Sequence, residues 1–179
     1  MTAHPRQAAT VIVLRGGAES LEVLLARRNP AARFMGDLWV FPGGAVDPSD
    51  GDGDAGHRAA ALREVEEEAG LTLPGPDALL PFSRWITPRL LPIRFDTRFY
   101  VAAAPAGQEP RADGSEMVEI GWYAPAAALA RLRLPFPTRA HLEELAGFAS
   151  ADAVLAAAPG RAIVPIEPDV RDLPPDAIP

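Results

Sequence analysis

The segment "REVEEEAGL", residues 63–71, constrains the fold of this chain more than any other feature. It closes a run of strong helix formers that begins at His57, and Gly70 is a typical residue for a helix C-terminus. At about 100° per residue, one side of this helix collects apolar residues. That side consists of Ala61, Leu62, Val65 and Ala69. The sequence therefore predicts a helix over 57–69 that is buried on one face.

Three of the four glutamates in this helix share a second face. Glu64, Glu67 and Glu68 stand at i, i+3 and i+4, within about 6 Å of axial rise, whereas Glu66 points to the far side. Like charges at this spacing weaken a helix, so helix stability does not favour the arrangement. Carboxylates are the hard oxygen donors that Mg²⁺ or Mn²⁺ prefers. The face is therefore either a divalent-metal site or an ordinary solvated acidic surface.

The complete string reads Arg-Glu-apolar-any-Glu-Glu-any-Gly-apolar, and it favours the metal site. A random chain of this length contains it with a probability on the order of 10⁻⁵. Here the sequence resembles the Nudix hydrolases, whose signature places a glycine, five residues, a glutamate and seven residues before this string. "FPGGAVDPSD", residues 41–50, supplies the first part, with Gly44 at the glycine. The resemblance covers roughly residues 8–132. It implies an α/β fold, an α/β/α sandwich with a mixed sheet, in which a catalytic loop–helix–loop binds divalent cations.

The resemblance also implies a chemistry and a set of roles. Such enzymes use Mg²⁺ or Mn²⁺ to hydrolyse a nucleoside diphosphate linked to another group. By position, Glu64, Glu67, Glu68 and the carbonyl of Gly44 would ligate the metal. Arg63 would orient the glutamates through a salt bridge, and Glu64 or an acidic residue on a loop would be the general base.

Two departures from the signature concern Asp50. It stands where the family has a glutamate that supports the motif's arginine, and twelve residues rather than seven separate it from Arg63. We expect the additional residues, in "GDGDAG" at 51–56, to bulge outward as a loop. The sequence therefore does not predict whether Asp50 supports Arg63.

Two further segments suggest a substrate. "LLARRNPAARFMGDLWVFPGGAVDPSD", residues 24–50, and "PRLLPIRFDTRFYVAA", residues 88–103, are similar to the branch that includes peroxisomal coenzyme A diphosphatases. This implies coenzyme A or acyl-coenzyme A as substrate. The alternatives are ADP-ribose, a dinucleoside polyphosphate, and a non-catalytic sensor that binds a nucleotide.

Candidate residues outside the signature are three arginines and one glutamate. Arg27, Arg28 and Arg33 are candidates for binding substrate phosphates, with ordinary surface arginines as the alternative. Glu116, at a predicted junction of loop and strand, is the candidate for a further catalytic carboxylate, with a solvated edge residue as the alternative. His4, His57 and His141 form no metal-binding spacing and are expected at the surface.

The rest of the chain alternates short strands and helices around one domain, residues 1–158. Strands are predicted at 9–14, 21–26, 38–41, 80–86, 95–103 and 117–123, and later helices at 125–132, 137–148 and 151–158. Residues 159–179 contain six prolines and are predicted to be an extended strap or disordered.

Composition narrows the class of partner. A net charge of −7 repels nucleic acid. If the chain binds a small anionic nucleotide, a bound cation or local arginines must offset the same repulsion. The chain has no cysteine, which excludes disulfides and thiolate zinc sites. No signal-peptide pattern and no run of eighteen apolar residues occurs. We therefore expect a cytoplasmic protein without a membrane partner, and a homodimer stays open.

Overall fold

The computed structural model describes residues 4–173, and at its centre lies one mixed sheet of eight strands. The strands are β1 (Arg6–Arg15), β2 (Glu22–Arg28), β3 (Trp39–Val40), β4 (Gly43–Ala45), β5 (Leu80–Ile86), β6 (Phe95–Ala103), β7 (Met117–Tyr123) and β8 (Pro165–Ile166). The helices are α1 (Gly53–Ala69), α2 (Pro125–Arg131), α3 (Phe136–Leu145) and α4 (Ala151–Ala157). Single 3₁₀ turns lie at Pro48–Asp50, Pro76–Ala78, Ala158–Gly160 and Val170–Asp172.

Strand β1 organises the sheet, whose main order is β3-β2-β1-β6-β5-β8. It runs parallel to β6 along almost its whole length, from the pair Arg6–Phe95 to the pair Leu14–Ala103. Its other edge is shared, because β4 pairs with it near its start and β2 near its end. The glycine-containing strand β4 is thereby held against the middle of the sheet.

The two faces of the sheet are covered by different helices. Alternate residues of β1 and β6 point to opposite sides, as the pleat of a strand requires. Val11, Val13 and Tyr100 pack with α1, whereas Ile12, Leu14 and Phe99 belong to the core formed with α2, α3 and α4. This arrangement confirms the predicted α/β/α sandwich with a mixed sheet.

The helix α1 corrects one expectation. It begins at Gly53 instead of His57, so part of the inserted segment extends the helix by about one turn and does not bulge outward as a loop. Asp54 accepts a hydrogen bond from Arg58 one turn later, at 2.7 Å. Gly56 packs against the carbonyl of Gly51, where a Cβ would clash. Part of the insertion thus belongs to the helix.

The sequence also did not predict strand β4, because its two glycines are poor strand formers.

Two histidines expected at the surface are buried. The ring of His57 contacts the carbonyl of Gly53 at 2.7 Å and lies 4 % exposed. His141 is 2 % exposed and lies between α3 and the sheet. Its Nδ1 donates to the Pro137 carbonyl, and its Nε2 accepts from the Ser83 hydroxyl, both at 2.6 Å. Their polar atoms find partners inside the protein, which sequence spacing does not reveal.

We expect stability at acidic pH to depend on His141. Burial lowers the pKa of His141 from 6.5 to about 4, so the ring is neutral in the folded protein. Its contribution is fully present above pH 6.5 and is lost as the pH falls from about 6.5 to about 4, because only the unfolded chain takes up the proton there. The loss amounts to about 3 kcal/mol. Urea unfolding at pH 7 and pH 4.5 measures it.

The matched variant is His141→Gln, which removes the titrating ring. Carboxylates elsewhere also destabilise the protein in acid, so the comparison is between the two pH values within each protein. The difference in the free energy of unfolding should be smaller in the variant. An equal difference in both proteins would contradict the assignment.

The C-terminal segment follows the edge of the sheet as an extended strap as far as residue 173. Strand β8 runs parallel to β5, and Arg161 binds the carbonyl of Phe82 and the carboxylate of Glu144. Residues 174–179, to which the prediction of a strap or disorder also applied, lie outside the described residues. Between residues 4 and 173, none of the helices has the length and apolar character needed to cross a membrane.

Candidate active site

A cavity of about 520 Å³ lies on the α3 side of the sheet and has two chemically different ends. One end is lined by Glu64, Glu67 and Glu68 of α1. The other is lined mainly by aromatic and aliphatic side chains from several elements. Glu66 is exposed and does not line the cavity, as the helix geometry predicted.

Arg63 holds the acidic end together. Its guanidinium donates to both carboxylate oxygens of Asp50, at 3.1 and 2.8 Å. It also donates to Glu64 at 2.8 Å, to Glu67 at 3.1 Å, and to the carbonyl of Ala45 at 3.1 Å. The contact with Asp50, which the sequence did not predict, is therefore made. The hydrogen bond from Arg63 holds the pKa of Asp50 below its usual value, and this pair fixes the guanidinium beside the glutamates.

The glycines of β4 bring the backbone against two of the glutamates. The N–H of Gly43 donates to Glu68 Oε2 at 2.9 Å. A Cβ on Gly44 would clash with the carboxylate of Glu64, so a larger residue here would displace that carboxylate. The signature identified Gly44 in the sequence, but neither Gly43 nor the strand that places both glycines.

Burial raises the pKa of the carboxyl groups of Glu64 and Glu68. Glu68 is 3 % exposed, and its burial raises its pKa to about 8. Burial also raises the pKa of Glu64, against the opposing effect of Arg63. Burial thus disfavours the charged form of both carboxyl groups, and a bound cation would stabilise that form.

The donor set fits a hard divalent cation, although within residues 4–173 no group of three or more acidic or histidine side chains is close enough to hold one as placed. The Nη1 of Arg63 donates to both Glu64 and Glu67. The guanidinium thus supplies positive charge between them. Carboxylates of this number, with backbone carbonyls nearby, are the ligands that Mg²⁺ and Mn²⁺ take.

The three predicted arginines have different positions. Arg28 lines the acidic end, and its positive charge acts on Glu68. Its buried Nε has no hydrogen-bond partner within the described part of the chain. Arg27 is instead paired with Asp37 at 2.9 Å and Glu119 at 3.1 Å.

Neither Arg27 nor the exposed Arg33 lines the cavity. The ion pairs of Arg27 explain its placement, because they hold the guanidinium against Asp37 and Glu119. Of the three arginines, Arg28 is therefore the one that the fold brings to the glutamates.

Glu116 lies where the sequence predicted it, immediately before β7, and it lines the cavity. The loop is fixed by Asp113, whose carboxylate accepts the N–H groups of Glu116 and Met117 at 2.9 and 2.7 Å. The negative charge of Glu116 acts on both Glu64 and Glu68. Glu116 therefore adds a further carboxylate to the acidic end.

The comparisons with known proteins agree with this geometry. Residues 4–145 match the family described as NUDIX domain. A protein named nudix hydrolase 7 from Caenorhabditis elegans is 30% identical over 161 residues, covering 70% of this chain and 53% of its own length. The chain thus spans about half of that relative. A crystal structure of a NUDIX hydrolase from Alicyclobacillus acidocaldarius is 29% identical, with a TM-score of 0.78, and covers 86% of this chain and 96% of its own.

A more distant structure has the same fold. A Caenorhabditis elegans Ap4A hydrolase is 20% identical with a TM-score of 0.61, and the match covers 84% of this chain and 98% of that one. At this identity the likeness concerns the architecture alone.

Proposed function

This chain belongs to the NUDIX family, and on that premise we propose that it is a Mg²⁺-dependent hydrolase of the diphosphate linkage in a nucleoside diphosphate derivative. The observation that carries the proposal is the arginine-centred cluster at one end of the cavity. There Arg63 connects Asp50 to Glu64 and Glu67. Coenzyme A, or an acyl-coenzyme A, is the proposed substrate because of the segments at 24–50 and 88–103. ADP-ribose and dinucleoside polyphosphates are the alternatives.

The metal would be held by Glu64, Glu67, Glu68 and the carbonyl of Gly44. When bound, it would polarise the diphosphate oxygens and acidify an attacking water. Arg63 would keep the glutamate side chains in position through its hydrogen bonds, and Asp50 would keep Arg63 in position. Mn²⁺ would suit the same ligands.

The remaining polar groups of the acidic end have roles that follow from their charge. Arg28 would bind a phosphate oxygen of the substrate, since its Nε lacks a hydrogen-bond partner among the described residues. Glu64 would take the proton of the attacking water, and Glu116 is the second candidate for that step. The proposed partner is a small nucleotide substrate. A reducing compartment such as the cytoplasm suits a chain without cysteine.

The test is incubation with coenzyme A and Mg²⁺, followed by identification of the products by mass. Cleavage between the two phosphorus atoms of the diphosphate should give 3′,5′-ADP and 4′-phosphopantetheine, and EDTA should abolish it. Faster cleavage of ADP-ribose or of a dinucleoside polyphosphate would leave the diphosphatase activity in place and overturn coenzyme A as substrate.

A nucleotide sensor is the alternative from another functional class. It predicts no turnover of any diphosphate in a broad panel, while nucleotides still raise the melting temperature. That outcome would overturn the proposal of catalysis.

A further inference from the structure

The end of the cavity opposite the glutamates is built partly by the C-terminal strap. Pro168 and Leu173 line it together with Phe34, Leu91 and Phe95. Both strap residues are partly buried, whereas residues 162–167 are exposed. The strap therefore turns its side chains into the cavity only after β8. These residues lie beyond 145, where the match to the family ends.

The strap is anchored where it reaches the cavity. Glu167 accepts a hydrogen bond from Arg94 at 2.7 Å, and the side chain of Arg94 is only 7% exposed. Arg94 also donates to the carbonyl of Thr87 at 3.0 Å, and Thr87 is hydrogen-bonded to the backbone of Phe95. Because the guanidinium of Arg94 is buried, leaving it without this carboxylate would be costly. The chain is thus anchored immediately before Pro168.

The two ends of the cavity are separated along β1. Arg6, opposite Phe95 on β6, lines the strap end, and Thr10, opposite Gly43 on β4, lines the acidic end. Four residues of extended strand separate Arg6 from Thr10, which corresponds to about 13 Å. A diphosphate bound at the glutamates would therefore leave the strap end for the group attached to it.

The chemistry of the strap end suits a flat aromatic group that accepts hydrogen bonds. The rings of Phe34 and Phe95 lie 5.7 Å apart and are tilted by 48°. The guanidinium of Arg6 lies over the ring of Phe95, at 5.8 Å from its centre. Aromatic and aliphatic walls contribute stacking and apolar contact, and a guanidinium contributes hydrogen-bond donors.

We infer that residues 165–173 form part of the substrate site, and that Pro168 and Leu173 help to bind the nucleobase of the substrate. This inference rests on the proposed function for the position of the diphosphate. It assigns the strap, which lies outside the family match, a role in substrate specificity. The strap would act on binding, because its residues are far from the glutamates.

The experiment compares Leu173→Ala with Val164→Ala, a change in the same strap at a side chain that is 69% exposed and does not line the cavity. The probes are adenosine 5′-monophosphate and ribose 5-phosphate, which differ by the base, and calorimetry measures both affinities with each protein. The unmodified protein should bind the first probe at least tenfold more tightly. Leu173→Ala should reduce this ratio by about tenfold, whereas Val164→Ala should change it less than twofold.

Two results would overturn the inference. Equal affinities for both probes in the unmodified protein would show that this end does not bind a base. An unchanged ratio in Leu173→Ala, with its melting temperature preserved, would show that the strap is not part of the site. Because calorimetry does not require turnover, absence of catalysis would count against the proposed function alone. With an active substrate, Leu173→Ala should raise KM and leave kcat unchanged.

Discussion

Replacing Glu68 with glutamine is expected to lower kcat/KM for the diphosphate substrate by on the order of 10²-fold or more, without lowering the melting temperature. The variant loses a charged metal ligand, and such ligands support several kcal/mol of transition-state stabilisation through the ion. The fold should tolerate the change, because glutamine keeps an oxygen for the N–H of Gly43 and replaces a carboxyl group whose ionisation burial disfavours. Steady-state kinetics at a series of Mg²⁺ concentrations measures the effect, and half-maximal activity should require more Mg²⁺.

Neighbouring glutamates provide the matched comparisons. Glu67→Gln should also lower turnover and raise the Mg²⁺ requirement, since Glu67 lines the same end of the cavity. Glu66→Gln makes the same chemical change on the exposed side of α1 and should be nearly silent. Similar losses at all three positions would show that the metal-binding face has been assigned wrongly, and a large drop in the melting temperature of Glu68→Gln would mean that its effect is structural.

Much of the acidic end could be predicted from the sequence because its glutamates are close together in the chain. Glu64, Glu67 and Glu68 are placed by the period of a single helix, and helical period is a strong signal. The same holds for the exposure of Glu66. The strands at 80–86, 95–103 and 117–123 were predicted with the bounds that the structure has, since each carries apolar and aromatic residues between clear turn signals.

The parts that could not be predicted depend on contacts between distant segments. Asp50 contacts Arg63 across an insertion that extends α1, whereas composition had favoured a loop for those glycines and aspartates. His141 looked like a surface residue, yet it is enclosed by the sheet and satisfied by Ser83 and Pro137. Leu173 lines the cavity because the C-terminal strap pairs with β5 through β8. No local sequence pattern predicts this pairing.

We expect Glu64→Gln to reduce kcat by about 10²–10⁴-fold and Glu116→Gln to reduce it less, because we assign the general base to Glu64. Glu64 lies within the acidic end, against Gly44 and hydrogen-bonded to Arg63, so its carboxylate is held in one position. Glu116 is exposed, and the hydrogen bonds with Asp113 and Asn29 hold its backbone rather than its carboxylate. A base needs a defined position near the water that it deprotonates. Single-turnover kinetics with each variant measures the step directly.

Since Glu64 is also a proposed metal ligand, the two roles must be separated by the response to Mg²⁺. A variant that has only lost affinity for the ion regains kcat when Mg²⁺ is raised to saturation, because occupancy is restored by mass action. A variant that has lost the base does not, since no other group removes the proton. Glu64→Gln should therefore stay slow at saturating Mg²⁺, whereas Glu67→Gln should recover a larger part of its activity. If Glu64→Gln recovers fully and Glu116→Gln stays slow, the base is Glu116, and proton removal occurs from the loop before β7 rather than from α1.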